Sequence, residues 1–581
     1  MLKIRICILA VAVRTQALPR TRAAIAAAFL PRFHRLFALR RSPFALRSLA
    51  LILLAGVLAL PVLAVLASWL PFGQGDAQAG SILREMAATV LPGYVVTTLW
   101  LSVMVALGAA VVGTGAAAAV TLFDFPGRRT FEWLLLLPLA MPAYVTAYAY
   151  TDFLQFSGPL QVGLRNTFGL EGRLLPEIRS LGGAVWVFIF SLYPYVYLLA
   201  RTALGERAAQ LMEAARLLGA PLPRRIRAVA LPLARPAVAA GVALVLMETL
   251  ADFGVASYFG IQTFTTGIYK AWLSMDNRLA AAQLATMLLV VVLALLHLEH
   301  RAQKRMRFAA GGVGRAGSSE AQPLVLHGGP RVLAWVVCVV PVLMGFVAPI
   351  VFMLRPLAAD WSVLPWDRFV EWAWHSVRLG SITAAIAVAL ALVLAFAVRR
   401  RPDDGVTRAV VQLASLGYAV PGAVIVVGLL LPVGWLQAAV PQWGIGALVT
   451  ATAVGIVWAY LVRFCAVALQ SVQSGYTRIP ASLDDSARML GMGSVGLMAR
   501  VHWPLLRRST AAAALLVFVD VMKELPATMV LRPFNSDTLA VVAYQLARDE
   551  RLGEAALPSL ALVAVGLVPV ILLSRTLRSK G

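Results

Sequence analysis

The sequence predicts an all-α membrane protein of about twelve transmembrane helices, arranged as two tandem six-helix units. Three observations carry this. About 60% of the 581 residues are apolar and only 13% are charged, too little polar surface to cover a soluble globule. The apolar residues fall in long unbroken runs, near the roughly 20 residues a helix needs to cross about 30 Å of hydrocarbon. Such runs do not alternate at every second position, which excludes a transmembrane β-barrel. Finally, the polar segments between the runs repeat at an offset of 272 residues, the distance from Gly219 to Gly491.

In chain order, residues 1–47 form a basic cytoplasmic segment with ten Lys/Arg and no acid. It either lies along an anionic membrane surface or is a poorly structured lead-in. The apolar stretch between Arg5 and Arg14 is too short for a signal peptide and lacks a small-residue cleavage site. The first unit, 48–300, holds predicted spans at 48–70, 97–121, 132–154, 182–202, 237–259 and 279–298. A cytoplasmic linker at 301–331 follows, its Gly- and Ser-rich composition that of a flexible connector. The second unit, 332–581, holds spans at 332–356, 376–398, 409–432, 446–468, 511–531 and 556–575.

The net charge of +24 reflects topology rather than a nucleic-acid partner. Basic residues cluster at the ends of alternate spans: Arg128 and Arg129, the 201–235 loop, 300–315, Arg399 to Arg401, the 466–510 loop, and Arg575, Arg578 and Lys580. By the positive-inside rule both termini are expected in the cytoplasm of a multi-pass inner (plasma) membrane protein. Cys7, Cys338 and Cys465 are scattered without a CxxC pair, so no disulfide framework or thiolate metal site follows.

Residues 213–232 read EAARLLGAPLPRRIRAVALP and residues 485–504 read DSARMLGMGSVGLMARVHWP. The offset aligns Glu213 with Asp485, Ala215 with Ala487, Gly219 with Gly491 and Pro232 with Pro504. It also carries Glu248 onto Asp520 and Asp252 onto Glu524. Further upstream, LAMPAYV (139–145) answers YAVPGAV (418–424). With six spans per unit the two copies face the same way, a parallel repeat. Each loop, 205–236 and 472–510, reads as a short helix stopped by Gly, a turn and a second helix: a knob projecting from the membrane, with an acid at its base that can pair with an Arg. A plain interfacial loop is the alternative.

This motif, an acid-Ala-Ala triplet, three residues, Gly, nine residues and then V-x-L-P, resembles the signature loop of permease subunits of bacterial ATP-binding-cassette importers. The resemblance implies two type I importer permease units fused in one chain. It also implies coupling to a cytoplasmic ATPase through Glu213, Ala214, Ala215, Gly219 and Pro232 and through Asp485, Ala487, Gly491 and Pro504. The second copy departs from the pattern at Asp485, Ser486 and Trp503. No G-x-x-x-x-G-K-[ST] phosphate loop occurs, so ATP and Mg are expected on the partner, two ATPase copies for two fused halves. No cofactor is expected on this chain.

Glu248 and Asp252, and Asp520 and Glu524 with Lys523 beside them, stand four apart in predicted spans. Such spacing on a helix puts each pair on one face, and intramembrane ionisable groups usually face a bundle interior or a water-filled path. Oxygen donors suit hard cations. A packing network in which Lys523 pairs with an acid is equally compatible. The stretches 247–272 and 521–544 resemble those of fused permeases of the ferric iron uptake group, as do 190–204 and 417–430. That likeness implies iron delivered by a periplasmic binding protein, with thiamine, polyamine or phosphonate as rival cargoes. A gradient-driven secondary transporter is the reading from another class, and the repeated loops weigh against it. Tyr193, Tyr195 and Tyr197 point in different directions on a helix, which favours interfacial or packing roles over shared phenolate coordination of iron. His297, Glu299 and His300 read as a solvated helix end, although the two histidines, three residues apart, could share a metal, and no metal site is assigned anywhere. No nucleophile and base stand at catalytic spacing, so the chain is not expected to be an enzyme.

Overall fold

A computed structural model describes residues 43–69, 84–205, 209–311, 323–362, 364–401 and 403–578. The basic segment up to residue 42 and linker residues 312–322 lie outside them.

The first unit contains α1 (Pro43–Ala67), α2 (Leu91–Leu122), α3 (Ala143–Leu154), α4 (Leu181–Ala203), the short α5 (Ala209–Leu217), α6 (Leu231–Ala251) and α7 (Arg278–Gly311). In the second unit, α8 (Gly329–Val342) runs through a π turn into α9 (Ala348–Ala359). There follow α10 (Trp366–Arg400), α11 (Gly405–Leu416), α12 (Gly422–Ala439), α13 (Ala453–Tyr476), the short α14 (Ala481–Met489), α15 (Trp503–Lys523) and α16 (Leu552–Arg578). The starts of α4 and α13, of α5 and α14, and of α6 and α15 are each separated by the 272 residues of the sequence repeat. The duplication is thus one of backbone as well as of sequence.

Among the described residues, ten helices are long and apolar enough to span a membrane, and an eleventh span results if the pair Arg128–Ala140 and Ala143–Phe168, bent by 89°, counts as one. Twelve were expected. The difference lies in α15, at the predicted 511–531 span, whose Arg507, Arg508, Asp520 and Lys523 make it too polar to qualify by composition. Two further predicted spans are broken at prolines. Pro142 and Pro421 both adopt extended backbone (ψ 142° in each), interrupting 132–154 and 409–432 where Pro cannot continue a helix. The predicted 237–259 span also stops early, at Ala251.

Packing crosses the repeat boundary. Trp458 Nε1 of α13 donates to the Val57 carbonyl of α1 at 3.0 Å, and a Cβ at Gly428 would collide with the Pro61 carbonyl. Conversely, the Tyr150 hydroxyl of α3 donates to the Met344 carbonyl between α8 and α9 at 2.7 Å, and Gly345 sits against the Phe190 carbonyl of α4. The first span of each unit therefore packs on the other unit. The boundaries expected at 300 and 332 fall inside α7 and α8 and do not delimit independent packing units. The linker is also shorter than expected, because α7 continues to Gly311. Its far end is tied down where β2 (Leu324–Val325) pairs in parallel with β1 (Phe123–Asp124) and Trp335 Nε1 donates to the Pro126 carbonyl at 3.0 Å.

Candidate functional site

A cavity of about 200 Å³ lies between the two units, where α6 and α15 end. All five predicted path residues, Glu248, Asp252, Asp520, Lys523 and Glu524, line it. Their arrangement differs from two acids on one helix face. Asp252 stands just past the end of α6 in extended conformation (ψ 133°), and its Oδ1 accepts the Val255 amide at 2.8 Å. It thereby caps the next short helix, Gly254–Tyr258. Glu524 repeats this at the end of α15 (ψ 120°), accepting the Ala527 and Thr528 amides, each at 3.0 Å. Both pairs straddle a helix break, so the helical spacing rule stops applying at the second acid of each.

The cations are also placed differently from the expectation. Lys523 Nζ donates to the Leu139 carbonyl at 2.9 Å instead of pairing with an acid. Glu524 is paired with Arg463 Nη1 at 3.2 Å, a residue that sequence reasoning missed although it interrupts the apolar run of α13. Tyr418, also unforeseen, donates to Glu248 Oε1 at 3.3 Å. Asp252 and Glu524 are thus committed to holding the helix breaks, while Glu248 and Asp520 take no part in capping.

Of the three tyrosines only Tyr195 is among the residues that line the cavity, in keeping with their pointing in different directions. Tyr193 and Tyr197 are fully buried, with the Tyr197 hydroxyl donating to the Glu132 carbonyl at 3.0 Å. His300 Nδ1 lies 2.8 Å from the Leu296 carbonyl and 3.5 Å from Glu299. Among the described residues no three His, Cys, Asp or Glu converge as a metal-holding group.

The repeated loops form two hairpins. In the first, α5 ends at Gly219, whose φ of 79° lies in the left-handed region. The Gly219 and Ala220 amides donate to the Arg216 and Ala215 carbonyls, a helix-terminating arrangement that favours Gly. The second matches it: Gly491 has φ 77°, and the Gly491 and Met492 amides donate to Arg488 and Ala487. The chain then re-enters through a π turn in each copy, and Pro232 and Pro504 sit in the first turns of α6 and α15, where a missing amide costs nothing. Glu213, Ala214 and Asp485 are exposed, Ala215 is half-buried and Ala487 is buried. At each tip two apolar side chains face outward: Leu217 and Leu218 at 85% and 87% exposure, Met489 and Leu490 at 88% and 79%.

The acid expected to orient the second hairpin does not do so. Asp485 pairs within its own helix, to Arg488 at 3.3 Å. Its neighbour Asp484 is buried and accepts from Arg399 Nε at the end of α10 at 3.0 Å, and it lies 3.0 Å from His502 Nε2. His502 Nδ1 in turn lies 3.2 Å from the Tyr476 hydroxyl. Burial by itself would raise the Asp484 carboxyl, but hydrogen bonds from Arg399 and His502 outweigh it and hold the group below the usual carboxylate range. Nothing in the sequence separates Asp484 from Asp485 except the helical phase that turns one of them inward.

The family described as "Binding-protein-dependent transport system inner membrane component" matches residues 109–307. Over 227 residues the chain is 31% identical to the probable molybdenum ABC transporter permease protein of Haloferax volcanii, covering 38% of this chain and 78% of that relative. The chain belongs to this permease family. It is a multi-pass inner-membrane permease of an ATP-binding-cassette importer. The Fe(3+)-transport system permease protein FbpB 2 of Haemophilus influenzae is similar over 543 residues at 24% identity, 92% of this chain and 99% of that one. A putative 2-aminoethylphosphonate transport system permease of Salmonella choleraesuis is 26% identical over 216 residues, 37% of this chain and 76% of its own.

Proposed function

We propose that this permease carries ferric iron, received from a periplasmic binding protein and driven by two ATPase subunits docked on the two hairpins. The observation that carries the reading is the cavity. Of its four carboxyl groups, Asp252 and Glu524 hold the helix breaks and Glu524 is paired with Arg463. That leaves Glu248 and Asp520, from equivalent positions of the two units, as oxygen donors on the cavity, and hard oxygen donors favour a small, highly charged cation over an oxyanion. The similarity to an Fe(3+) permease over 92% of the chain supports the same cargo, whereas the molybdenum and phosphonate relatives align with about one unit.

Glu248 and Asp520 are the residues we assign to the path, because Asp252 and Glu524 serve the helix breaks. The tips Leu217, Leu218, Met489 and Leu490 are the apolar surfaces offered to the ATPases, and closure of those subunits would draw the hairpins together and rock the two units about the cavity. The test is iron flux through a Glu248→Gln/Asp520→Asn variant that still assembles with its ATPase. A flux well below wild type is expected, and wild-type flux would show that these acids do not line the path. An oxyanion cargo is the second reading, favoured by Arg463 and Lys523 in the same cavity. Molybdate flux that exceeds iron flux would establish it.

A further inference from the structure

The cavity holds one ionised side chain that the iron reading leaves without a task. Lys523 ends α15 and lines the cavity with the four acids, although its ammonium would repel a cation. The first unit has no counterpart, since Ala251 stands at the equivalent position. The ammonium rests on the Leu139 carbonyl at 2.9 Å, across the boundary between the units. That carbonyl is open to a donor because Pro142, three residues on, has no amide with which to continue the 3-10 turn Leu137–Ala140. Gly566 of α16 completes the seat: a Cβ there would come within 2.8 Å of Lys523 Cε and Nζ and would collide with the Ala140 carbonyl. The Lys523 carbonyl accepts from the Tyr144 hydroxyl at 3.3 Å, which fixes the backbone and leaves movement to the side chain. Three residues back on α15, Asp520 has neither a hydrogen bond nor an ion pair among the described residues, whereas Glu524 is paired with Arg463. Spacing of three on a helix brings an ammonium within reach of a carboxylate. An ammonium is thus seated on a neutral carbonyl while a carboxylate within its reach stands unpaired.

We propose that Lys523 sets the affinity of the path for its cargo, an inference that rests on the iron reading. While Leu139 seats the ammonium, Asp520 is open to a cation. Rocking of the two units draws Leu139 away from Lys523, because the two residues belong to different units. The ammonium then moves onto Asp520, takes the cargo's place on that carboxylate, and the iron leaves. A bare carboxylate within the membrane is costly, so a tethered cation lets the path empty without exposing one.

The test measures binding of radiolabelled Fe(III) nitrilotriacetate to the full-length chain in detergent by equilibrium dialysis, and iron release from its complex with ATPase and binding protein in proteoliposomes. Lys523→Arg is expected to bind iron at least about tenfold more weakly than wild type. A guanidinium is too broad for the seat beside Gly566 and stays on Asp520, where the cargo must break one charged hydrogen bond to displace it. Lys523→Gln, a donor without charge, is expected to bind iron at least as tightly as wild type but to hold it after ATP is added, with release slowed about tenfold. Wild-type binding in Lys523→Arg, or wild-type release in Lys523→Gln, would overturn the proposal. So would weakened binding in Lys523→Gln that Lys523→Arg restores, since that is the pattern of a packing residue. Iron binding by the wild type that is absent, or indifferent to Glu248→Gln/Asp520→Asn, overturns the cargo reading and this proposal with it. Binding that depends on those acids keeps the cargo reading even where the Lys523 variants behave like wild type.

Discussion

In the first hairpin Met212 fills the position that Asp484 fills in the second, and Ala230 the position of His502. Met212, Ala230, Asp484 and His502 are all buried, yet one hairpin is anchored by apolar packing and the other by a carboxylate held between a guanidinium and an imidazole. The backbones are alike down to the left-handed glycine that ends α5 and α14. One loop geometry has thus been preserved while its anchorage diverged. Apolar contact tolerates small shifts, because a flexible Met adapts to its surroundings. The Asp484 network is specific in geometry and costly to break in part, since removing one partner leaves a buried charge unmatched.

The largest difference is expected at the tips. Leu217→Ser/Leu218→Ser and Met489→Ser/Leu490→Ser each remove two side chains that docking would bury, at about 1.5–3 kcal/mol apiece. Each pair should lower ATPase affinity by two orders of magnitude or more, measured by pull-down titration in detergent. An effect confined to one pair would show that only one hairpin docks. Next, Asp484→Asn is expected to destabilise the second hairpin by about 3 kcal/mol and Met212→Ala the first by about 2 kcal/mol, read as faster amide exchange over 481–502 and 211–230. Exchange spreading equally through both hairpins in either variant would show that the anchors are not separate.

Gly219→Val and Gly491→Val should have similar, smaller effects. A Cβ at either position meets nothing within 4 Å, so the cost is the strain of a left-handed β-branched residue, about 1–2 kcal/mol, without a clash. Both should reduce transport per ATP hydrolysed, and normal coupling in both would remove the glycine from the mechanism. The smallest effect is pH dependence. Asp484 has a folded-state pKa below its unfolded value, so its contribution is fully present above about pH 4 and lost as pH falls through the folded value. Exchange in the second hairpin should rise in that window ahead of the first, and simultaneous opening would contradict the assignment.

The duplication, the hairpins and the acids that line the cavity were legible in the sequence because polar residues in an apolar chain stand out and their offset needs no gap. What was not legible depended on helical phase and on chain crossing. Asp485 matched the motif, but Asp484 faces inward. Glu248 and Asp252 looked like one helical face, but the helix stops between them so that Asp252 can cap the next. Arg463 and Tyr418 reach the cavity from segments whose sequence gives no sign of proximity to α6 or α15. The exchange of first spans between units left no trace either, since the lipid-facing and protein-facing sides of α1 are equally apolar.

The most direct test of the account is uptake of radiolabelled ferric iron into proteoliposomes that contain this chain, its ATPase and its binding protein, with ATP supplied on the hairpin side. Iron accumulation is expected to require ATP and the binding protein and to fall sharply in the Glu248→Gln/Asp520→Asn variant. Iron accumulation driven by an ion gradient in the absence of the ATPase, or ATP-driven accumulation of molybdate with none of iron, would contradict it.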